Sequence, residues 1–312
     1  MARTEHFNYL SADGLTQIHA IRWMPDAGEI RGVVQIAHGM QEFIDRYEEF
    51  ADYLCAQGFV VTGNDHLGHG ASIVSEEKYG YFAEHNGNRA VISDMRELHR
   101  QMIEQYPDVP YYMLGHSMGS FLARQYMCLY GNRLDGAIIS GTAYHTALEA
   151  NLGMTVCKLM AAFKGWGYRS PAVTKMAMGG YNRKFEPVRT RYDWLSRNEA
   201  NVDSYRKDRR TQFMFTLNGF YNMFVGLKYL TRREHLARIP KDLPVLLIAG
   251  QMDPVGDYGN GVQRTALSLQ QAGLRDVQVR LYPNDRHEVL NELDRQEVYA
   301  DVLSWLNSHR PE

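Results

Sequence analysis

The chain has 312 residues, 45% of them hydrophobic, enough to bury a large core in one or two units of about 150 residues. A formal net charge of only −2, with no zinc-finger, RNA-recognition or helix-turn-helix signature, argues against nucleic acid as a partner. No run approaches the ~20 uninterrupted apolar residues of a membrane span, and residues 1–10 alternate polar and apolar side chains, unlike the basic and apolar blocks of a signal peptide.

In chain order, residues 16–24, 33–37 and 59–64 read as strands and residues 43–57 as a helix. Such alternation predicts a largely parallel sheet covered by helices on both faces. Residues 88–106 follow as a charged amphipathic helix, with Val91, Met95, Leu98 and Met102 on one face and Pro107 just beyond its end. A short apolar strand over 111–114, a helix over 121–130 and a strand over 134–140 come next. The alternation lapses over residues 143–233, resumes with strands at 244–249 and 277–282, and closes with an amphipathic helix over 292–309.

The lapse has helical spacing and a charge of its own: sixteen Lys and Arg stand against six Asp and Glu, while the remainder has eighteen against thirty. The expected organisation is an α/β core formed by residues 1–142 and 234–312, with residues 143–233 inserted as a helical cap. Cys55, Cys128 and Cys157 are widely spaced and odd in number, as expected of buried thiols in a reducing compartment, and the chain reads as cytoplasmic.

Gly115, His116, Ser117, Met118 and Gly119 form a G-x-S-x-G pattern between a predicted strand and a predicted helix. Joining a strand to a helix through one sharp turn strains the central serine and exposes its hydroxyl, and the flanking glycines give it room. A serine hydroxyl is a poor nucleophile at neutral pH. It needs an imidazole to take its proton and a carboxylate to hold that imidazole in one tautomer.

In this kind of architecture the acid and then the histidine follow the serine on loops after later strands. Asp253 follows the strand over 244–249, and His287 follows the strand ending at Tyr282. Asp257 and Asp285 are rival acids, the first expected in the next helix and the second on the histidine's own loop. Two backbone donors are expected to face a developing oxyanion: the N–H of Met118 and, after the strand over 33–37, the N–H of Met40 beside Gly39. This chemistry requires no metal and no organic cofactor.

Taken together, the residues resemble the monoacylglycerol lipase and lysophospholipase-like serine hydrolases of the α/β-hydrolase fold. The similarity rests on the elbow from Gly115 to Gly119, on His38 and Gly39, on Asp65, His66, Leu67, Gly68, His69, Gly70 with Ser72, and on His287 and Glu288 with Asn291 and Glu292. It implies a Ser117, Asp253, His287 triad, an oxyanion hole of Met40 and Met118, and a structural role for the run from Asp65 to Gly70. Asn284, Asp285 and Arg286 stand where the family often has a small residue or glycine, and the cap matches only loosely.

Residues 211–230 place Phe213, Leu217, Phe220, Phe224 and Leu227 at spacings of three and four, with more apolar residues on other sides. Two readings are open: packing of cap on core, or a wall of an acyl-chain channel formed by Phe213, Leu217, Phe220 and Phe224. The cap's positive charge also has two readings, attraction to an anionic membrane surface or neutralisation against the acidic core. The function expected is hydrolysis of small or lipid carboxylic esters through an acyl-enzyme. A peptidase or amidase is the alternative, though it needs acids to hold a substrate amine, and the cap's acids are outnumbered. A non-catalytic ligand-binding protein would need no complete triad.

Overall fold

The computed structural model describes residues 2–310, so the outermost residues assigned to the core, 1 and 311–312, lie outside the described residues. Eight strands form one sheet: β1 (Arg3–Leu10), β2 (Gln17–Met24), β3 (Gly32–Ala37), β4 (Phe59–Asn64), β5 (Tyr111–His116), β6 (Gly136–Ser140), β7 (Val245–Gly250) and β8 (Val277–Tyr282). Their order is β1-β2-β4-β3-β5-β6-β7-β8. β2 runs antiparallel to both neighbours, and every pairing from β4 to β8 is parallel.

Every residue of β3 to β7 is buried, because helices cover both faces of a parallel sheet. α1 (Glu48–Cys55) and α10 (Arg295–Ser308) pack on one face, while α2 (Gly87–Gln105), α3 (Met118–Tyr130) and α9 (Asn260–Gln271) pack on the other. β1 is absent from the sequence reading for a physical reason: it is an edge strand in which only Tyr9 is buried, so it lacks an apolar run.

The predicted helix over 43–57 starts later than expected. Ile44–Tyr47 form a 3-10 turn whose first N–H is taken by Asp65 Oδ1 at 2.8 Å, and regular helix begins at Glu48.

The insertion is helical: α4 (Ala147–Lys164), α5 (Pro171–Met178), α6 (Glu199–Lys207), α7 (Leu217–Leu230) and α8 (Arg233–Leu236). The helix predicted over 211–230 is shorter than expected. The Thr216 backbone N–H and hydroxyl both donate to the Gly80 carbonyl, and its hydroxyl accepts the Gly219 N–H at 3.1 Å. Thr216 is therefore the N-cap of α7, and Phe213 lies on the non-helical segment before it.

α7 packs on both cap and core. Asn218 and Asn222 accept the N–H groups of Phe82 and Asn88, each at 2.9 Å, and α4 crosses α7 at Gly153, where a Cβ would meet the Phe224 ring at 2.7 Å. A helix lodged between two layers needs apolar residues on more than one side, which explains its sequence. Cys55, Cys128 and Cys157 are buried free thiols. Among the described residues no helix is long and apolar enough to cross a membrane.

Candidate active site

Ser117 joins β5 to α3 with φ +53° and ψ −119°, a region costly for a residue with a side chain. Its N–H donates to the Ser140 carbonyl at 3.0 Å, which pins the turn to β6. A Cβ on Gly119 would run into the Ala37 carbonyl, and one on Gly115 into the Gly119 carbonyl. The two glycines thus allow α3 to begin directly against β3 and β5, with Ser117 at the wall of a cavity.

The loops after β7 and β8 touch: Met252 N–H donates to the Asp285 carbonyl at 2.9 Å. This contact brings Asp253 to His287, whose Nδ1 donates to Asp253 Oδ2 at 2.9 Å. Asp253 is fully buried and its other oxygen accepts the Val255 N–H at 2.8 Å. A carboxylate facing Nδ1 puts the imidazole proton there and leaves Nε2 as the basic nitrogen. His287 and Ser117 line the same cavity.

The two rival acids lie elsewhere. Asp285 receives Arg197 Nη2 at 2.6 Å, and Asp257 sits in the turn ahead of α9, not in the helix expected for it.

After β3, His38 Nε2 accepts the His66 N–H at 2.9 Å, so its proton sits on Nδ1, which donates to the Gly39 carbonyl at 2.8 Å. Gly39 N–H goes to the Glu42 carboxylate. Met40 follows and lines the cavity together with Met118 at the start of α3, and among the described residues no backbone acceptor takes either N–H. A helix N-terminus favours negative charge at Met118.

The run from Asp65 to Gly70 shapes this loop from behind. Asp65 accepts the N–H groups of Ile44 and Ala71, each at 2.8 Å, and His19 Nδ1 at 2.9 Å.

Beneath the site lies a cluster of buried charges that sequence reasoning missed. Glu42 accepts His116 Nδ1 at 2.9 Å, Tyr47 Oη at 3.0 Å and Arg46 Nη1 at 2.8 Å. Arg46 also forks onto Glu288 at 2.9 and 2.7 Å, and Asn201 of α6 donates to Glu288 at 2.7 Å. Burial alone would raise the Glu42 carboxyl, but the His116 and Arg46 charges outweigh it and hold the group far below the usual carboxylate range. Burial likewise disfavours the His116 imidazolium, and Glu42 overcomes this to raise His116 above the ordinary histidine value. The sequence signal was the pair Glu42 and Arg46 at i and i+4.

The cavity holds about 300 Å3. Leu152, Met176, Met223, Phe224 and Leu227 contribute apolar wall, and Trp194 lies 5.1 Å from the His287 ring. Of the four channel residues proposed from spacing, Phe224 lines the cavity. Leu217 and Phe220 are buried in the core, Phe220 with its ring 5.5 Å from that of Phe215, and Phe213 packs on Tyr79 at 5.0 Å. Leu152, Met176 and Trp194 escaped the sequence reading because they lie on separate segments with no shared period.

The polar residues before His287 anchor the cap. Arg286 donates to the Asp193 carbonyl, Arg197 pairs with Asp285 and Asp294, and Glu288 N–H donates to the Leu195 carbonyl at 2.8 Å.

The chain is 27% identical to a monoacylglycerol lipase of Mycolicibacterium smegmatis, over 98% of both proteins, and 26% identical to the monoglyceride lipase of Mus musculus, over 96% of this chain and 89% of that one. The crystal structure of a thermostable carboxyl esterase from Bacillus coagulans superposes with a TM-score of 0.90 at 31% identity, covering 99% of each chain. Residues 28–294 match the family Hydrolase_4, described as serine aminopeptidase, S33, and the chain belongs to that family of serine hydrolases with the α/β-hydrolase fold.

Proposed function

We propose that the protein is a carboxylic-ester hydrolase of the monoacylglycerol lipase type, with Ser117 as nucleophile, His287 as general base and Asp253 as the acid that orients it. The observation that carries this reading is the convergence of Ser117 and the Asp253–His287 pair on one mostly apolar cavity of about 300 Å3. Ser117 Oγ attacks the ester carbonyl carbon while His287 Nε2 takes its proton. The carbonyl π pair moves to oxygen, and the Met40 and Met118 N–H groups hold that oxyanion. As the tetrahedral adduct collapses, the C–O bond to the alcohol breaks and the leaving oxygen takes the proton from His287. Water then adds to the acyl-enzyme with His287 again as base, releasing the acid and restoring the Ser117 hydroxyl.

The cavity favours an ester over a peptide with a free amine. Its buried acids, Glu42 and Glu288, are both bound to Arg46, and Glu149 is engaged in the capping box of α4. Among the described residues the cavity wall therefore offers no uncommitted carboxylate for a substrate ammonium.

A lipid surface is the partner this reading favours. α4 exposes Leu148, Leu152, Leu159 and Phe163 on one stripe, Phe163 at 87%, and Leu152 also lines the cavity. Lys158 and Lys164 lie on the same helix. Much of the remaining cap charge is neutralised against the core: Arg197 meets Asp285, Arg209 meets Glu76 and Arg210 meets Asp45. Cosedimentation with anionic vesicles is expected, and no cosedimentation with vesicles of any composition would remove the lipid-surface reading.

The test of the reaction is hydrolysis of monoacylglycerols and of p-nitrophenyl esters of increasing chain length, with Ser117→Ala alongside. Turnover that peaks at medium or long chains and vanishes in the variant is expected. Activity limited to acetyl esters would reject the acyl cavity, and turnover that survives in Ser117→Ala would reject the mechanism.

A further inference from the structure

A second cavity of about 570 Å3 is walled by α3, α7, α8, α9 and the loop after β6. It shares His145 and Leu227 with the first cavity, and among the described residues its lining holds Arg124 and Arg233 but no Asp or Glu.

Arg124 is the unusual member. It is only 4% exposed, yet among the described residues it has no carboxylate partner. Its Nη1 reaches the Thr142 hydroxyl at a long 3.4 Å and the Ala143 carbonyl at 3.2 Å, and among the described residues its buried Nε has no acceptor. Burial pushes the guanidinium down to about 10, so it remains a cation at neutral pH. A buried charge is costly unless it is paired and hydrogen-bonded. Arg46, by contrast, keeps its side chain 10% exposed and still meets two carboxylates. Among the described residues nothing does for Arg124 what Glu42 and Glu288 do for Arg46.

We propose that this second cavity binds a carboxylate with an alkyl chain, its head on Arg124 and its tail along α7 and α8. A planar guanidinium with open donors matches a carboxylate in shape and in single charge. A dianionic phosphate would call for more than one buried cation, and Arg233 is exposed. Leu230, Leu236 and Ala237 supply apolar wall, and the volume falls within the range of small-molecule sites. The alkyl carboxylate rests on the ester-hydrolase reading, because the acid released at Ser117 is such a molecule. The unpaired arginine does not depend on it.

The test is calorimetric titration of full-length Ser117→Ala protein with sodium octanoate, 1-octanol and inorganic phosphate, repeated with Arg124→Met or Leu236→Trp added. Thermal melts check that each variant folds. Octanoate is expected to bind about tenfold or more weaker after Arg124→Met, the loss of one charge-assisted fork. Leu236→Trp keeps the guanidinium and crowds the apolar wall along which the tail would lie, so it should weaken octanoate comparably. It carries the comparison if Arg124→Met does not fold. The response to octanol should not change with Arg124.

Octanoate binding unchanged in both variants would put the ligand in the acyl cavity and overturn the proposal. Arg124-dependent binding of phosphate without octanoate would overturn it in favour of a small-oxyanion site. Arg124-dependent octanoate binding by a protein whose parent shows no ester turnover would uphold the site and reject only the reaction as the ligand's source.

Discussion

His116 Nδ1 lies 2.9 Å from Glu42 Oε1, joining the residue before the nucleophile to the loop that carries Met40. Arg46 extends the contact from Glu42 to Glu288, the neighbour of His287. One run of buried charges, His116, Glu42, Arg46 and Glu288, therefore ties together the three loops bearing the proposed oxyanion donor, nucleophile and base. Asn201 and the Tyr205 ring, 5.0 Å from the Arg46 guanidinium, bring α6 of the cap into the same cluster. The four groups sum to zero charge only when His116 is an imidazolium, in keeping with its raised pKa.

Arg46→Met should break this cluster from its centre. Two buried carboxylates would then face one imidazolium, and removing one partner of a buried pair typically costs about 3–5 kcal/mol. Because Arg46 acts through the loops, the loss in activity should fall on kcat more than on KM. Urea unfolding and steady-state kinetics on one ester check both. A variant as stable and as active as the parent would show that the cluster is not needed to position the site.

The cluster also sets a pH window. His116 has a raised folded value, so its stabilisation is present below its unfolded value near ~6.5 and fades as pH rises through the folded value. Glu42 is depressed, so its contribution is present above ~4.5 and fades as pH falls through the folded value. The pair thus contributes most between about pH 4.5 and 6.5. His116→Gln should lower the urea midpoint more at pH 5.5 than at pH 8.5, and an equal drop at both would count against a charged His116.

His99 has the opposite sign. It is fully buried between α2 and the sheet, stacked on Tyr111 at 3.9 Å with its Nε2 unpaired among the described residues, and burial pushes it down to about 3, aided by Arg96 and Arg133. Its neutral form is favoured in the fold, so its contribution is complete above the unfolded value and is lost as pH falls from ~6.5 toward the folded value. Between pH 7 and 5 that loss is about 2 kcal/mol. His99→Phe, which keeps the ring stack, should flatten the stability profile over this interval by about that amount. Chemical denaturation at the two pH values measures it directly.

Elements with strong local causes were legible in the sequence. β3, β4 and β7 are wholly buried parallel strands and read as apolar runs, and the elbow was recognisable because its glycines fall between a strand and a helix. Asp253 is preferred to Asp257 and Asp285 because it alone is expected on the loop directly after a strand and apart from the histidine's own loop, and among these three acids it is the one that hydrogen-bonds to His287.

What was not legible depends on tertiary contact. β1 is held by β2 with little burial of its own, and residues 212–216 are drawn out of helix by the Gly80 carbonyl. Glu42 and Arg46 have the spacing of an ordinary surface pair, and only burial beside His116 and Glu288 gives them a role at the site.

Phe220 and Phe224 are one helical turn apart on α7, but the first is 1% exposed in the core and the second lines the cavity. Phe220→Ala should cost about 3–5 kcal/mol of stability, as large-to-small core changes of aromatics do, with the order of preference among acyl chains retained. Phe224→Ala should widen the cavity and shift the preferred p-nitrophenyl ester to a longer chain. Gly153→Val tests the same wall from the other side. A Cβ there meets the Phe224 ring at 2.7 Å, and the ring can yield only by moving, which should shift the preference toward shorter chains. Opposite shifts for Phe224→Ala and Gly153→Val, with Phe220→Ala altering stability alone, would identify the α4–α7 crossing as the part of the cap that measures acyl length. A changed chain preference in Phe220→Ala at unchanged stability would return the channel to the buried side of α7.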